Sequence, residues 1–448
     1  MTRIRYLILV LCCSLSSVLY LHRYTWGIIK KSVQDDFGWD NDTLGWLDSC
    51  FPLTYGIGSI PSGIACDWFG ARLFLVLIAL LWALSLGWTS IATTTWGMAA
   101  SRLSLGLTQS GCYPTLGKIS KNWFPRTNRT FSQSLITASG RLGGAAAFVV
   151  VPILMVSFEL SWRSSLAVLT LLGVALAMVV FLLFGNSPRE HRWANQKEAD
   201  YVTSADPVAL HTSGSVLSWQ RALRSYNMWL LLGRAFFSNL ADFVYIYWIP
   251  YYFLTVKQTN LHAETLGASM LMAGLYAALP LLGGAAGGIC SGWTQDRIMR
   301  RVGSRRWARS GIGFSSKFLA MGFILGSLYF QSPTVIAWML FTVKFFGDWE
   351  GPVTWGTATD IGGKNSATVF GLINTMGSIA AVLAGPITVL IISTFSDSPD
   401  PEQFTIAGWN ALFVIMALEY LSVAVIWLFI DCTVPIEPEE QSEQETTV

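Results

Sequence analysis

The chain has 448 residues, 52% hydrophobic and 12% charged, about half the ~25% charged share of a soluble globular domain. A net charge of +2 offers no footing for nucleic acid. The sequence has no glycine-rich phosphate loop with its lysine, no nucleophile–base arrangement and no metal-ligand spacing, which argues against an ATP-driven pump, an enzyme or a bound cofactor.

About a dozen runs reach the ~20 apolar residues that a membrane-crossing helix needs. Spans are predicted at 5–29, 43–66, 73–92, 96–118, 130–157, 162–184, 228–256, 266–293, 310–330, 333–356, 366–393 and 405–431. The start imitates a secretory leader, with Arg3 and Arg5 before an apolar run, but it lacks a small-residue cleavage site and reads as a retained first helix. The seven cysteines form no ligand spacing and read as small core or lipid-facing residues.

Charges inside spans are costly and usually face a cavity or a partner. Span 1 carries His22 and Arg23, and span 4 carries Arg102 and Gln109. Seven residues make about two helical turns, so Arg102 and Gln109 share a face. Arg141 falls in span 5 and Lys317 in span 9. On span 7, Arg234, Ser238, Asp242 and Tyr245 make one polar stripe. On span 10, Lys344 and Asp348 are i,i+4 partners, while Glu350 points about 200° away from Asp348 and needs a partner of its own. Asp48 in span 2 and Glu419 in span 12 are further acidic candidates, with a place near a helix end as the plainer alternative.

Between spans 6 and 7 lies a polar segment, so the chain divides into a six-span bundle at 1–184, a linker at 185–227, a second six-span bundle at 228–431 and an acidic tail at 432–448. Two echoes support the halves. Ser62-Gly63-Ile64-Ala65-Cys66-Asp67-Trp68-Phe69-Gly70-Ala71-Arg72 returns 229 residues later as Ser291-Gly292-Trp293-Thr294-Gln295-Asp296-Arg297. Leu135-Ile136-Thr137-Ala138-Ser139-Gly140 returns 237 residues later as Leu372-Ile373-Asn374-Thr375-Met376-Gly377. Both keep their orientation, as parallel repeats do. Nineteen Lys and Arg fall on one side of the spans and four (Lys30, Lys31, Arg163, Lys257) on the other. This places both termini and the linker in the cytoplasm of a plasma or inner membrane. The glycosylation-type triplets Asn41-Asp42-Thr43 and Asn128-Arg129-Thr130 fall at a helix start and on the cytoplasmic side, and are set aside.

The paired Ser-Gly…Asp stretches resemble the loop signature of the major facilitator superfamily. Three further segments resemble its anion:cation symporter family: Leu21-His22-Arg23 with Leu44-Gly45 and Tyr55 to Gly63; Arg102-Leu103-Ser104-Leu105-Gly106 with Pro114 and Trp123-Phe124-Pro125-Arg126; and Trp355, Asp360, Phe370-Gly371, Asn374 and Gly377. The resemblance spans nearly the whole chain. It implies an all-α membrane protein of twelve transmembrane helices in two pseudo-symmetric six-helix bundles. The central cavity would be lined by helices 1, 4, 7 and 10, and the protein would import a small organic anion, such as a hexuronate or aldonate, by alternating access.

The expected partners are that anion, a proton or another coupling cation, and membrane lipid, with no cofactor and a monomeric protein. Arg23 is the carboxylate clamp, since a guanidinium grips a carboxylate through two hydrogen bonds; the plainer alternative is a structural arginine held by carbonyls. The resemblance assigns substrate contacts to Tyr55, Trp355 and Asn374, and Arg102 and Gln109 complete the expected site. Where the family has an aspartate before the helix-1 arginine and a glutamate on helix 4, this chain has His22 and Gln109. Three coupling readings stay open. His22 carries the proton, as an imidazole can; the site has moved to Asp242, Asp348 or Glu350; or transport is an exchange, uncoupled, or driven by another ion. Asp67, Arg72, Asp296 and Arg297 are expected to gate. A non-transporting nutrient sensor on the same fold is the remaining rival.

Overall fold

The structure, a computed structural model, describes residues 2–204, 224–255, 266–362, 366–397 and 404–436. The described residues are helical, without strands. Twelve rods follow the predicted spans: α1 (Ile4–Phe37), α2 (Asn41–Phe69), α3 (Ala71–Ile91), α4a (Thr95–Gln109) with α4b (Cys112–Trp123), α5 (Arg126–Val156), α6 (Trp162–Leu183), α7a (Tyr226–Tyr247) with α7b (Ile249–Thr255), α8 (Leu266–Val302), α9 (Arg305–Ser327), α10a (Pro333–Gly347) with α10b (Gly351–Gly362), α11 (Ser366–Thr394) and α12 (Ile406–Phe429). Seven helices are individually long and apolar enough to cross a membrane.

Rods 4, 7 and 10 are broken where the sequence suggested continuous helices. Each break lies within four residues before a proline: Pro114, Pro250 and Pro352. A proline ring cannot accept the carbonyl four residues back as a helical neighbour and supplies no N–H for it. Rod 10 crosses its break through a 3₁₀ turn, Asp348–Glu350. Gly70 ends α2 with φ +77° and Gly303 ends α8 with φ +68°, so the two signature turns close at matching left-handed glycines.

The helix pairing repeats between the halves. In the first half α1 packs on α5, α2 on α4a and α3 on α6; in the second α7a packs on α11, α8 on α10a and α9 on α12. Across the halves α2 meets α11 and α5 meets α8. Part of the linker, Gln196–Ser204, is helical. The buried Glu198 accepts the backbone N–H groups of Ile4 (3.2 Å) and Arg5 (3.1 Å), satisfying donors that open the first turn of α1.

One apolar core unites both halves at the end away from the chain termini, with Trp26, Val33 and Leu44 against Trp248, Tyr251 and Trp409. There Gly45 and Gly385 let α2 and α11 touch backbone to backbone, with no room for a Cβ at Gly385 and little at Gly45. Toward the terminal end the core splits, one part inside the first half around Phe74, Trp82 and Trp123 and one inside the second around Leu231, Ile361 and Trp427. The halves therefore close at the far end and part toward the terminal end.

Candidate functional site

Most side chains predicted for the site lie along the rods where the shared core gives way to the separate ones. On the first half, Arg23 donates from Nε to Gln109 Oε1 at 3.2 Å, and Gln109 Nε2 donates to the Leu19 carbonyl at 3.2 Å. The guanidinium lies over three rings, Tyr55 at 4.6 Å, Phe51 at 4.8 Å and Tyr20 at 4.9 Å. Ring faces attract a cation, but they do not neutralise it. The NH2 nitrogen is buried with no hydrogen-bond partner, and among the described residues no carboxylate pairs with Arg23. Gln109 thus orients Arg23 through its oxygen.

Arg102 sits two turns nearer the far end. Its Nε donates to the Leu47 carbonyl at 2.8 Å, its guanidinium covers Trp26 at 4.2 Å, and it too keeps a buried nitrogen without a partner. His22 is one residue from Arg23, but a helical step of about 100° turns it away. Its Nε2 lies 3.0 Å from the Leu169 carbonyl, its ring fills the space left by Gly173, and Nδ1 is buried without a partner. These contacts place His22 inside the first bundle, against α6.

The second half carries two ionic clusters. Lys344 Nζ meets Asp242 at 2.7 Å and Asp348 at 2.9 Å. Asp348 also pairs with Arg141 of α5, on the other half. The second cluster centres on Glu350, paired with Arg234 and, at 3.0 Å, with Lys317, while Trp427 Nε1 donates to it at 2.5 Å. Tyr245 and Tyr420, with hydroxyls 3.3 Å apart, stand between the clusters. The stripe on helix 7 therefore divides: Arg234 and Ser238 turn to Glu350, and Asp242 turns to Lys344.

Trp355 is half-exposed and its ring lies 4.7 Å from that of Phe370. Asn374 is exposed one turn further along α11. Arg72 is held within its own half, its amide donating to Asn186 at 2.8 Å and its guanidinium to the Phe181 carbonyl at 2.8 Å. Arg297 is exposed. The side chains of Asp67 and Asp296 lie outside those described.

Three placements correct the sequence reading. Lys30 lies within α1, which runs to Phe37, and is sealed from solvent rather than in a loop. Its partner Asp48, 2.6 Å away, is buried well inside α2. Glu419 lies mid-way along α12 with one buried oxygen lacking a partner. The available signal was the spacing of Trp26 and Lys30, which puts an indole and an ammonium on one face of α1.

Comparison with known proteins places these features in a family context. The family model described as Major Facilitator Superfamily matches residues 11–385. The chain is 26% identical over 381 residues to a "probable sulfoacetate transporter" of Cupriavidus necator, covering 85% of each chain. It is 27% identical over 427 residues to a "probable galactarate/D-glucarate transporter" of Bacillus subtilis, covering 93% of this chain and 91% of the relative. It is 25% identical over 412 residues to a hexuronate transporter of Bacillus subtilis, covering 89% and 90%. Among solved structures, a bacterial homolog of the human lysosomal transporter Spinster superposes with a TM-score of 0.72 at 14% identity, covering 96% of this chain and 99% of that one. A nucleoside transporter superposes with a TM-score of 0.66 at 14% identity, covering 96% and 99%. These two likenesses concern the fold alone.

Proposed function

The chain belongs to the major facilitator superfamily, and from that premise we propose that it carries a small organic anion of the sugar-acid class across the membrane by alternating access. The supporting observation is Arg23: a buried guanidinium caged by aromatic rings, oriented by a neutral amide, with a donor nitrogen left over. A cation withdrawn from water without a counter-ion is costly. A carboxylate or sulfonate arriving in the cleft removes that cost and takes up the unused donor.

Tyr55 and Gln109 shape the pocket around that anionic group, and Arg102 adds positive charge from the far end. Trp355 and Asn374 contact the rest of the molecule from the second half. Uptake follows a gradient of protons or of another cation, with His22, packed inside the first bundle, and Asp242 and Glu350, in the ionic clusters of the second half, as the candidate titratable groups. The excess of Lys and Arg puts the terminal end, the linker and both termini in the cytoplasm, so the cleft described above opens inward. Asp67, Arg72, Asp296 and Arg297 then belong to the cytoplasmic gate, and the direction is import. The domain limits are those of the two bundles, the linker and the acidic tail.

A second reading, exchange without a coupled proton, draws support from one observation: Arg23 faces Gln109, an amide that cannot carry a proton.

Uptake by purified protein in liposomes tests the proposal, with labelled hexuronates, aldonates, aldarates and aromatic acids, each with and without an imposed pH gradient. Uptake of one sugar-acid class and no uptake of the corresponding neutral sugars is expected. Equal uptake of neutral sugars sinks it. A rate indifferent to the pH gradient, with acceleration by trapped acid, selects the exchange reading.

A further inference from the structure

Arg141 and Asp348 form the one ion pair that joins the two halves among the described residues. With Lys344 and Asp242 they make a closed set of two cations and two anions. The members differ in access. The side chains of Arg141 and Asp242 are 38% and 35% exposed, whereas those of Lys344 and Asp348 are 7% and 10% exposed. Arg141 is therefore the cation that a solute in the cleft meets first, and Asp348 stands behind it.

Two aromatic rings of α1 connect this set to Arg23. Tyr20 lies under the Arg23 guanidinium at 4.9 Å and packs edge-on against Tyr24 at 5.4 Å. The two rings fill the spaces beside Gly140 and Gly144, the glycines that flank Arg141 on α5. Arg23 and Arg141 thus stand on either side of one pair of tyrosines.

We propose that the transported solute is a dianion whose second anionic group takes Arg141 from Asp348, and that the Asp242–Asp348 pair binds one proton in exchange. This rests on the reading of the Arg23 cleft as an anion site. Once Arg141 turns to the solute, two carboxylates, Asp348 buried and Asp242 partly exposed, share the single ammonium of Lys344. Like charges there disfavour double ionisation, so one carboxylate takes a proton from hydronium on the open side and leaves water. When the solute departs on the opposite side, Arg141 returns to Asp348 and the proton leaves to water there. Arg23 has no carboxylate beside it, so an anionic group bound at Arg23 alone calls for no proton.

The surroundings favour this exchange. Lys317 of α9 adds positive charge nearby but is already paired with Glu350 at 3.0 Å. Glu419 of α12, a carboxyl with one buried oxygen that has no partner, lies near Asp242. Tyr245 of α7 and Tyr420 of α12 close the side facing the Glu350 cluster. From α8 comes Gly284, where a Cβ would collide with Asp348 and come within 3.0 Å of Arg141, so the pair depends on that glycine. Arg141 itself faces Tyr20 and Tyr24 of α1.

Calorimetry on the purified full chain, in buffers of different ionisation enthalpy, counts protons taken up per molecule bound. The probes are galactarate, a dianion, and galactonate, a monoanion. About one proton per galactarate and none per galactonate is expected, with galactarate affinity falling as pH rises, by about tenfold per unit wherever one full proton is taken up. Asp348→Asn is expected to abolish the uptake while leaving measurable galactarate binding. The paired replacement Arg141→Gln with Asp348→Asn leaves no charge stranded, so it guards against misfolding of the single variant; it too should bind without a proton. Equal proton counts for the two acids, or a count unchanged in either variant, overturns the proposal while leaving the anion site intact. If neither acid binds but hexuronates do, the dianion assignment fails alone. If no acid binds, the anion-site reading fails and takes this proposal with it.

Discussion

Lys30 and Asp48 form an ion pair of 2.6 Å with both side chains sealed from solvent. The second Asp48 oxygen accepts from Trp26 Nε1 at 2.7 Å, and the Lys30 ammonium lies 3.7 Å from the centre of the Trp248 ring on the opposite half. The far-end closure of the cleft is thus built around a neutralised charge pair in contact with an aromatic ring. Removing one partner strands the other, at a cost of about 3–5 kcal/mol. Asp48→Asn is expected to lower the unfolding midpoint of the detergent-solubilised protein clearly, and Lys30→Met with Asp48→Leu to recover most of the loss. Thermal unfolding followed by intrinsic fluorescence checks both, and an unchanged midpoint for Asp48→Asn would show that the pair carries little stability.

At Arg23 the geometry of the fork matters as well as its charge. Lys at this position keeps the cation but loses the planar donor set. Arg23→Lys is expected to raise the apparent KM for the transported acid by roughly 30-fold, about 2 kcal/mol, and Arg23→Ala to abolish saturable uptake. Initial rates in proteoliposomes decide this, and wild-type KM in Arg23→Ala removes the clamp.

Gln109 presents its oxygen to Arg23 at 3.2 Å. Gln109→Glu puts a carboxylate there that competes with the solute for the guanidinium. When ionised, at higher pH, the new glutamate occupies Arg23 and weakens binding; when protonated, at lower pH, it releases Arg23. Affinity in this variant is therefore expected to improve as pH falls, by about tenfold per unit where the glutamate titrates. Binding measured from pH 5 to 8 tests the sign, and affinity that worsens on acidification contradicts it.

His22 packs against the Leu169 carbonyl and Gly173 inside the first bundle. If the proton travels with Asp242 and Asp348, His22→Gln, which keeps a donor near the carbonyl, is expected to retain gradient-driven accumulation within about threefold of wild type, with some loss of stability. Accumulation measured with and without an imposed pH gradient separates the roles. Loss of the gradient response with intact downhill flux would make His22 the carrier.

Much of the fold can be read along the chain, because the bilayer imposes a length of apolar sequence that periodicity cannot disguise. The twelve rods come from that constraint, and their division into two halves from the repeat. The breaks in rods 4, 7 and 10 were written in Pro114, Pro250 and Pro352, but membrane helices also tolerate proline without breaking, as α5 does at Pro152 and α11 at Pro386. Lys30 was misplaced because the adjacent charges Lys30 and Lys31 ended the predicted span, whereas the backbone continues where a partner such as Asp48 neutralises the ammonium.

For the site, the sequence by itself determined which polar residues share a helix face: Arg102 with Gln109, and Lys344 with Asp348. It could not determine partners between helices. Asp242 meets Lys344 from 102 residues away, Glu350 meets Arg234 from 116, and Arg141 meets Asp348 from 207. Periodicity fixes angles within one helix, but the rotation of each helix about its own axis, and the neighbour it then faces, follow from packing all twelve together. That packing turned His22 toward α6 and Arg23 toward Gln109 of α4a, one residue and about 100° apart, and left one with a carbonyl and the other with a buried donor nitrogen that has no partner.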